Sequence, residues 1–142
     1  EAQTKLWRRS FDVPPPAVER TSPEHPVNDL RYRLIDPDLL PATECLKDVV
    51  ARVVPHFHEV VVPQLRAGMN VLVAAHGNSL RALVMALESI PEDDIAELNI
   101  PTGVPRLYNL TDSLEVAEVT YLGDQDAIRA AIEGVANQAK GH

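Results

Sequence analysis

The chain has 142 residues, 45% hydrophobic and 24% charged, which suits one globular domain with its own core. A formal net charge of -8 argues against a broad nucleic-acid-binding face, because phosphate backbones demand clustered Lys and Arg. No apolar run approaches the ~20 residues of a membrane helix, so neither nucleic acid nor membrane is an expected partner. An anionic ligand would therefore have to find its positive charge in a local pocket. Cys45 is the only cysteine, which excludes an internal disulfide and suits a reducing cytoplasm. No basic-then-apolar leader opens the sequence.

In chain order, residues 1–11 read as a helix, with Ala2, Leu6 and Trp7 toward one face and Arg8 and Arg9 beside them. It opens on Glu1 with no cap before it, as if the chain began inside the element. Residues 12–41 form a Pro-rich surface segment, opened by Pro14, Pro15 and Pro16, because proline fixes φ and removes a donor. Thr43 is the expected N-cap of a helix whose apolar face carries Leu46, Val49, Val50, Val53, Val54, Phe57 and Val61. Pro55 is expected to kink that helix and Gly68 to stop it.

Residues 71–75 are a short continuous apolar run, the pattern of a strand buried on both faces. It ends at His76-Gly77-Asn78-Ser79, and a helix follows with Leu80, Leu83, Val84 and Leu87 toward the core. Pro91-Glu92-Asp93-Asp94 predicts the start of a third, short helix. Residues 101–105 are a turn containing Gly103, and residues 106–110 and 115–122 predict a hairpin joined near Asp112 and Ser113. Asp124 is the expected cap of a last helix with a buried stripe of Ile128, Ala131, Ile132 and Val135. Residues 137–142 read as a polar tail.

The strand–turn–helix at His76 is where open α/β sheets place their ligands. Gly77 lets the backbone turn and leaves room, and the helix start offers unpaired N–H groups and a positive dipole end. An imidazole and free N–H groups facing one spot suit a phosphoryl group. Two other readings stand beside this one. His76 can be a structural histidine bonded to a nearby carbonyl. Gly77-x-Ser79 after a strand also suggests a hydrolase nucleophile elbow, but Arg81 occupies the place of that motif's second glycine, and only His142 follows. His56 and His58 point to different sides of a helix, so no metal is expected there.

The run Ala75-His76-Gly77-Asn78-Ser79-Leu80-Arg81-Ala82-Leu83 resembles the second signature of the 2,3-bisphosphoglycerate-dependent phosphoglycerate mutases, within the histidine phosphatase superfamily. Leu98-Asn99-Ile100-Pro101-Thr102-Gly103-Val104-Pro105, Trp7-Arg8-Arg9-Ser10-Phe11 and Val135-Ala136-Asn137-Gln138 resemble further stretches of the same enzymes, in the expected order. The resemblance implies an α/β fold of three αβα layers with a mostly parallel central sheet. Residues 1–142 would be the C-terminal portion of that single domain, with residues 71–75 at the sheet's centre.

By the same resemblance, His76 stabilises the transferring phosphoryl group, Gly77 and Asn78 contact the substrate, and Arg8 and Arg9 bind it. The default alternative for the arginine pair is a solvated face with one salt bridge. The phosphorylated histidine of an Arg-His-Gly signature and the acid/base glutamate would lie upstream of Glu1, since residues 1–142 contain no such triplet. The implied activity is the interconversion of 3-phosphoglycerate and 2-phosphoglycerate, a step of glycolysis and gluconeogenesis. Its implied primer is 2,3-bisphosphoglycerate, with no metal, in a cytoplasmic homo-oligomer (dimer or tetramer). The competing readings are a non-catalytic phosphate- and carboxylate-binding fragment, another phosphatase of the superfamily, and a serine hydrolase using Ser79.

Overall fold

The computed structural model describes residues 2–138. Its helices are α1 (Ala2–Arg9), α2 (Leu46–His56), α3 (Val62–Arg66), α4 (Gly77–Glu88) and α5 (Gln125–Gln138). Strands β1 (Arg106–Leu110) and β2 (Val116–Tyr121) pair antiparallel. Between α1 and α2 the chain makes three isolated 3₁₀ turns, Pro26–Asn28, Leu30–Tyr32 and Pro37–Leu39, so the Pro-rich segment wraps rather than pairs. Its two ends are tied together by Val18 N–H donating to the Ala42 carbonyl at 2.9 Å and by the Thr43 hydroxyl donating to the Pro15 carbonyl.

That use of Thr43 corrects the expected cap. Its hydroxyl is spent on a distant carbonyl, and the helix starts two residues later behind Cys45. Asp48 closes the end by accepting from the Cys45 N–H at 2.9 Å. Pro55 lies inside α2, and Phe57–Val61 is a π-helical turn in which Val62 N–H reaches the Phe57 carbonyl. Pro63 accounts for the widening: it has no N–H, and its ring crowds the carbonyl one turn back. Gly68, at φ +79, ends the run. Gly68 N–H donates to Leu65 O at 2.9 Å and Met69 N–H to Gln64 O at 3.1 Å, the paired bonds of a left-handed helix stop.

The core forms where α2 meets α4. Leu46 and Val49 pack on Ala82 and Ile95, with Phe11, Val50, Val53, Met85, Ile90 and Leu98 half-buried around them. Ala82 and Ile95 are both fully buried. The buried face of α4 is Arg81, Ala82 and Val84, rotated from the expected stripe: Leu80, Leu83 and Leu87 are only half-buried. The small Ala82 lets the two helices approach, and Leu83 and Leu87 border a groove instead. The expected third helix is a turn at residues 92–94 followed by one 3₁₀ turn, Ile95–Glu97.

The sheet differs most from expectation. Among the described residues the only ladder is β1–β2, with a bulge between Asn109 and Leu110, and no parallel pairing occurs. Residues 71–75 belong to no strand, and Leu72 is 90% exposed. A strand of a parallel sheet is buried by neighbours on both sides and helices on both faces. Among the described residues no strand pairs with residues 71–75 to supply that cover. Asp124 caps α5 as expected, accepting from Ala127 N–H at 2.8 Å, and Ile128 is buried. α5 runs on through Gln138, into the expected polar tail; residues 139–142 lie outside the described residues.

The hairpin is pinned to α4 by a polar cluster. Glu88 accepts from Arg106 Nη2 at 2.6 Å and from the Tyr108 hydroxyl, and Arg106 Nη1 donates to Tyr121 Oη at 2.7 Å. Burial, reinforced by the bond to Glu88, pushes the Tyr108 phenol well above its ordinary value. A folded pKa above the unfolded one gives stability that is intact below about pH 10, the unfolded tyrosine value, and is lost as pH rises toward the folded value. One tyrosine is therefore expected to ionise only with unfolding in an alkaline titration followed by tyrosinate absorbance. Tyr108→Phe should flatten the loss of stability above about pH 10. An unchanged slope in that variant would remove Tyr108 as the cause.

Candidate active site

His76 ends the extended run 71–75 at φ -63 and ψ 150 and serves as the N-cap of α4. Its Nδ1 accepts from Asn78 N–H at 3.3 Å. An accepting Nδ1 is unprotonated, so the ring's proton sits on Nε2 and is available as a donor. Gly77 is the first residue of α4 with a negative φ, so the turn itself does not require glycine there. A Cβ at Gly77 would meet no atom within 4 Å, so the space at the helix start is open.

Arg8 and Arg9 close α1 on the other side of the same space. A cleft of about 170 Å³ is lined by Arg8, Arg9, His76, Gly77, Asn78 and Arg81, with Leu98, Ile100 and Val135 as its apolar wall. The structure thus brings together all five residues picked out in the sequence. It also gives the two arginines different surroundings. Arg9 is half-buried and donates from Nη1 to Leu98 O at 3.4 Å and from Nη2 to Val135 O at 3.2 Å. Arg8 is exposed, and its guanidinium has no hydrogen bond or ion pair among the described residues.

Arg81 carries no role on sequence grounds, yet it is the most buried cation of the cleft, 7% exposed. It donates from Nη2 to Ile95 O at 2.7 Å and to Arg9 O at 3.4 Å, and from Nη1 to Arg8 O at 3.4 Å. Its signal in the sequence is its place one turn after Gly77 on an otherwise apolar helix face. Burial, and then Arg9 beside it, pull the Arg81 guanidinium down from its ordinary value. Burial, followed by Arg8, does the same to Arg9, while Glu97 opposes the shift. Arginine nonetheless stays protonated in proteins. Three guanidiniums therefore share one cleft with no carboxylate in ion-pair contact among the described residues, and this is the local positive charge that an acidic protein needs to hold an anion.

Ser79 does not line the cleft. His25 is buried and caps the turn Pro26–Asn28, accepting from Val27 N–H at 3.1 Å, which is a structural role. A larger groove, about 270 Å³, lies between α2–α3 and α4, lined mainly by Val54, Phe57, Val62, Leu83 and Leu87. It holds none of the cleft's polar groups, so chemistry, not volume, marks the smaller space as the site. No group of three or more possible metal ligands occurs among the described residues, and no helix there is long and apolar enough to cross a membrane.

A histidine, a helix N-terminus and three guanidiniums on one cleft have the chemistry that suits a phosphate-like anion. Residues 7–115 match the family model of the histidine phosphatase superfamily (branch 1), and the chain belongs to that superfamily. It comprises phosphatases and mutases, so the chemistry of the class is phosphoryl transfer. The match spans all five residues and Arg81.

Proposed function

We propose that the chain is the C-terminal portion of a 2,3-bisphosphoglycerate-dependent phosphoglycerate mutase, which interconverts 3-phosphoglycerate and 2-phosphoglycerate. The observation that carries the reading is the convergence of His76, the Gly77–Asn78 helix start and Arg8 on one cleft with excess positive charge. A substrate with a phosphate at one end and a carboxylate at the other needs separate cationic anchors. The helix start offers N–H groups to the phosphate, and Arg8 offers a planar fork to the carboxylate or phosphate. In this reading the Nε2–H of His76 stabilises charge on the phosphoryl oxygens during transfer.

In this reading the phosphoryl group passes from a histidine nitrogen upstream of residue 1 to the free hydroxyl oxygen of the substrate. An upstream glutamate takes the hydroxyl proton; the phosphoryl group on the other oxygen then passes back to the histidine nitrogen, and the glutamate returns the proton to the oxygen it leaves. The cation excess of the cleft also fits 2,3-bisphosphoglycerate, which Arg8, Asn78 and the helix start would hold; it supplies the first phosphoryl group. A strand pairing with residues 71–75 would turn that exposed run into the middle of a mostly parallel sheet with helices on both faces. The same reading includes a cytoplasmic homo-oligomer, dimer or tetramer.

The test supplies the protein with 3-phosphoglycerate and a trace of 2,3-bisphosphoglycerate. Formation of 2-phosphoglycerate that requires the primer supports the reading. Release of inorganic phosphate from unrelated monoesters, with no isomerisation, replaces it with a phosphatase of the same superfamily. Binding without turnover in a protein that contains the upstream histidine would leave a non-catalytic binding module.

The two arginines are expected to separate in mutants. Arg8→Ala should raise KM roughly ten- to a hundredfold, the worth of a charge-assisted hydrogen bond, with little change in Tm. Arg9→Ala should raise KM and also lower Tm, because the carbonyls of Leu98 and Val135 lose their donor. KM values within error of wild type for both variants would remove the pair from substrate binding.

A further inference from the structure

We propose that Arg81 is a positioning residue that holds the Arg8–Arg9 pair in register with the His76–Asn78 turn. The inference rests on the reading of the cleft as a phosphate-binding site. Arg8 and Arg9 are the last two residues of α1, so their carbonyls have no partner within the helix. Arg81 supplies that partner from α4: Nη1 donates to Arg8 O and Nη2 to Arg9 O, and Nη2 also anchors on Ile95 O at 2.7 Å. One planar group thus grips the backbone from which both cleft arginines spring. It does so from the helix whose first turn carries Gly77 and Asn78. Any slip of α1 against α4 moves the cationic anchors relative to the phosphate-facing N–H groups.

Arg81 spends both N–H groups of Nη2 on Arg9 O and Ile95 O and one of Nη1 on Arg8 O, so most of its hydrogen-bonding capacity goes to backbone carbonyls. Arginine is also not the residue that stability alone would select. Its Nε–H is buried with no partner among the described residues, and an unsatisfied buried donor is destabilising. A lysine would avoid that cost and keep the charge, but an ammonium cannot span the same carbonyls with a rigid fork.

The experiment is calorimetric titration of the protein with inorganic phosphate and with 3-phosphoglycerate in four forms: wild type, R81K, R8A/R9A, and R8A/R9A/R81K. R81K is expected to weaken both anions about tenfold in the wild-type background and less than about twofold in the R8A/R9A background, because a residue acting through a pair has nothing to position once the pair is gone. R81Q, uncharged but still a donor, is the second variant should R81K fold poorly; circular dichroism and Tm check each form. A folded R81K that binds like wild type overturns the proposal. So does an equal loss in both backgrounds, which would mean Arg81 acts by its own charge. If phosphate follows the expected pattern and 3-phosphoglycerate does not bind, the positioning role stands and the mutase substrate falls. If neither anion binds the wild type, both fall.

Discussion

Replacing His76 with alanine is expected to lower kcat for phosphoryl transfer roughly 10²- to 10⁴-fold while KM moves only a few-fold. On the proposed function the imidazole would have two jobs, one for each nitrogen. Nδ1 accepts Asn78 N–H and caps α4. Nε2 is left to act, on the proposed function, as the donor to the transferring group's equatorial oxygens. Alanine removes both, so the rate loss comes with a stability loss of about 0.5–2 kcal/mol for the missing cap. His76→Asn separates them. Its amide oxygen can accept the same N–H, so Tm should return toward wild type. The shorter side chain does not carry a donor to the ring's position, so kcat should stay near that of His76→Ala. Unchanged turnover in His76→Ala would remove the residue from the mechanism. Recovery of kcat in His76→Asn would shift its role from the ring donor to the cap.

Ile95→Ala is expected to cost roughly 2–5 kcal/mol, the usual penalty for deleting a fully buried aliphatic side chain. Ile95 is the largest fully buried side chain of the described residues and packs with Leu46, Val49 and Ala82 at the joint of α2 and α4. In a chain of this size the loss corresponds to a fall in Tm of several degrees or more. Ile95→Val should cost about 0.5–1.5 kcal/mol, which calibrates the site. The carbonyl that anchors Arg81 belongs to the backbone and survives both substitutions. Anion affinity measured well below Tm should therefore change much less than stability. A Tm for Ile95→Ala within about one degree of wild type would mean that the α2–α4 joint is not the core.

Local chemistry was legible in the sequence where it decided the structure. Gly68 stops a helix because its φ is positive, Asp124 caps one because its carboxylate meets a free N–H, and the β1–β2 hairpin follows from two apolar runs around a turn. The misses share a tertiary cause. Thr43 looks like a cap, but its hydroxyl is taken by Pro15, 28 residues earlier in the chain. Residues 71–75 have the composition of a doubly buried strand, yet composition cannot provide the neighbours that bury it. The leucines of α4 mark a helix correctly but not its rotation, which the fit of Ala82 against α2 decides.

The candidate site divides in the same way. His76, Gly77 and Asn78 stood out because a strand, a tight junction and a helix start follow one another in sequence. Arg8 and Arg9 stood out only through resemblance, since nothing local tells a ligand arginine from a solvated one. Arg81 offers positive potential in the sequence, but nothing local there assigns it a role. Its burial and its three carbonyl partners exist only once α1, α4 and the Ile95–Glu97 turn have come together.

The cleft lies where the ends of α1, α4 and α5 meet, and those ends do not have the same sign. The start of α4 is electropositive, whereas the carbonyl-bearing ends of α1 and α5 have the opposite sign for an incoming anion. Arg81 covers the carbonyls of α1, and Arg9 covers that of Val135 on α5. These two side chains thus act as electrical insulation: they silence two poles of the wrong sign so that the third can be felt. Arg8, bonded to neither helix end, is left to face the ligand. Grafting an arginine elsewhere on the rim would add charge without restoring that shielding, so affinity lost at Arg9 or Arg81 should not be recoverable by a compensating cation a few ångströms away.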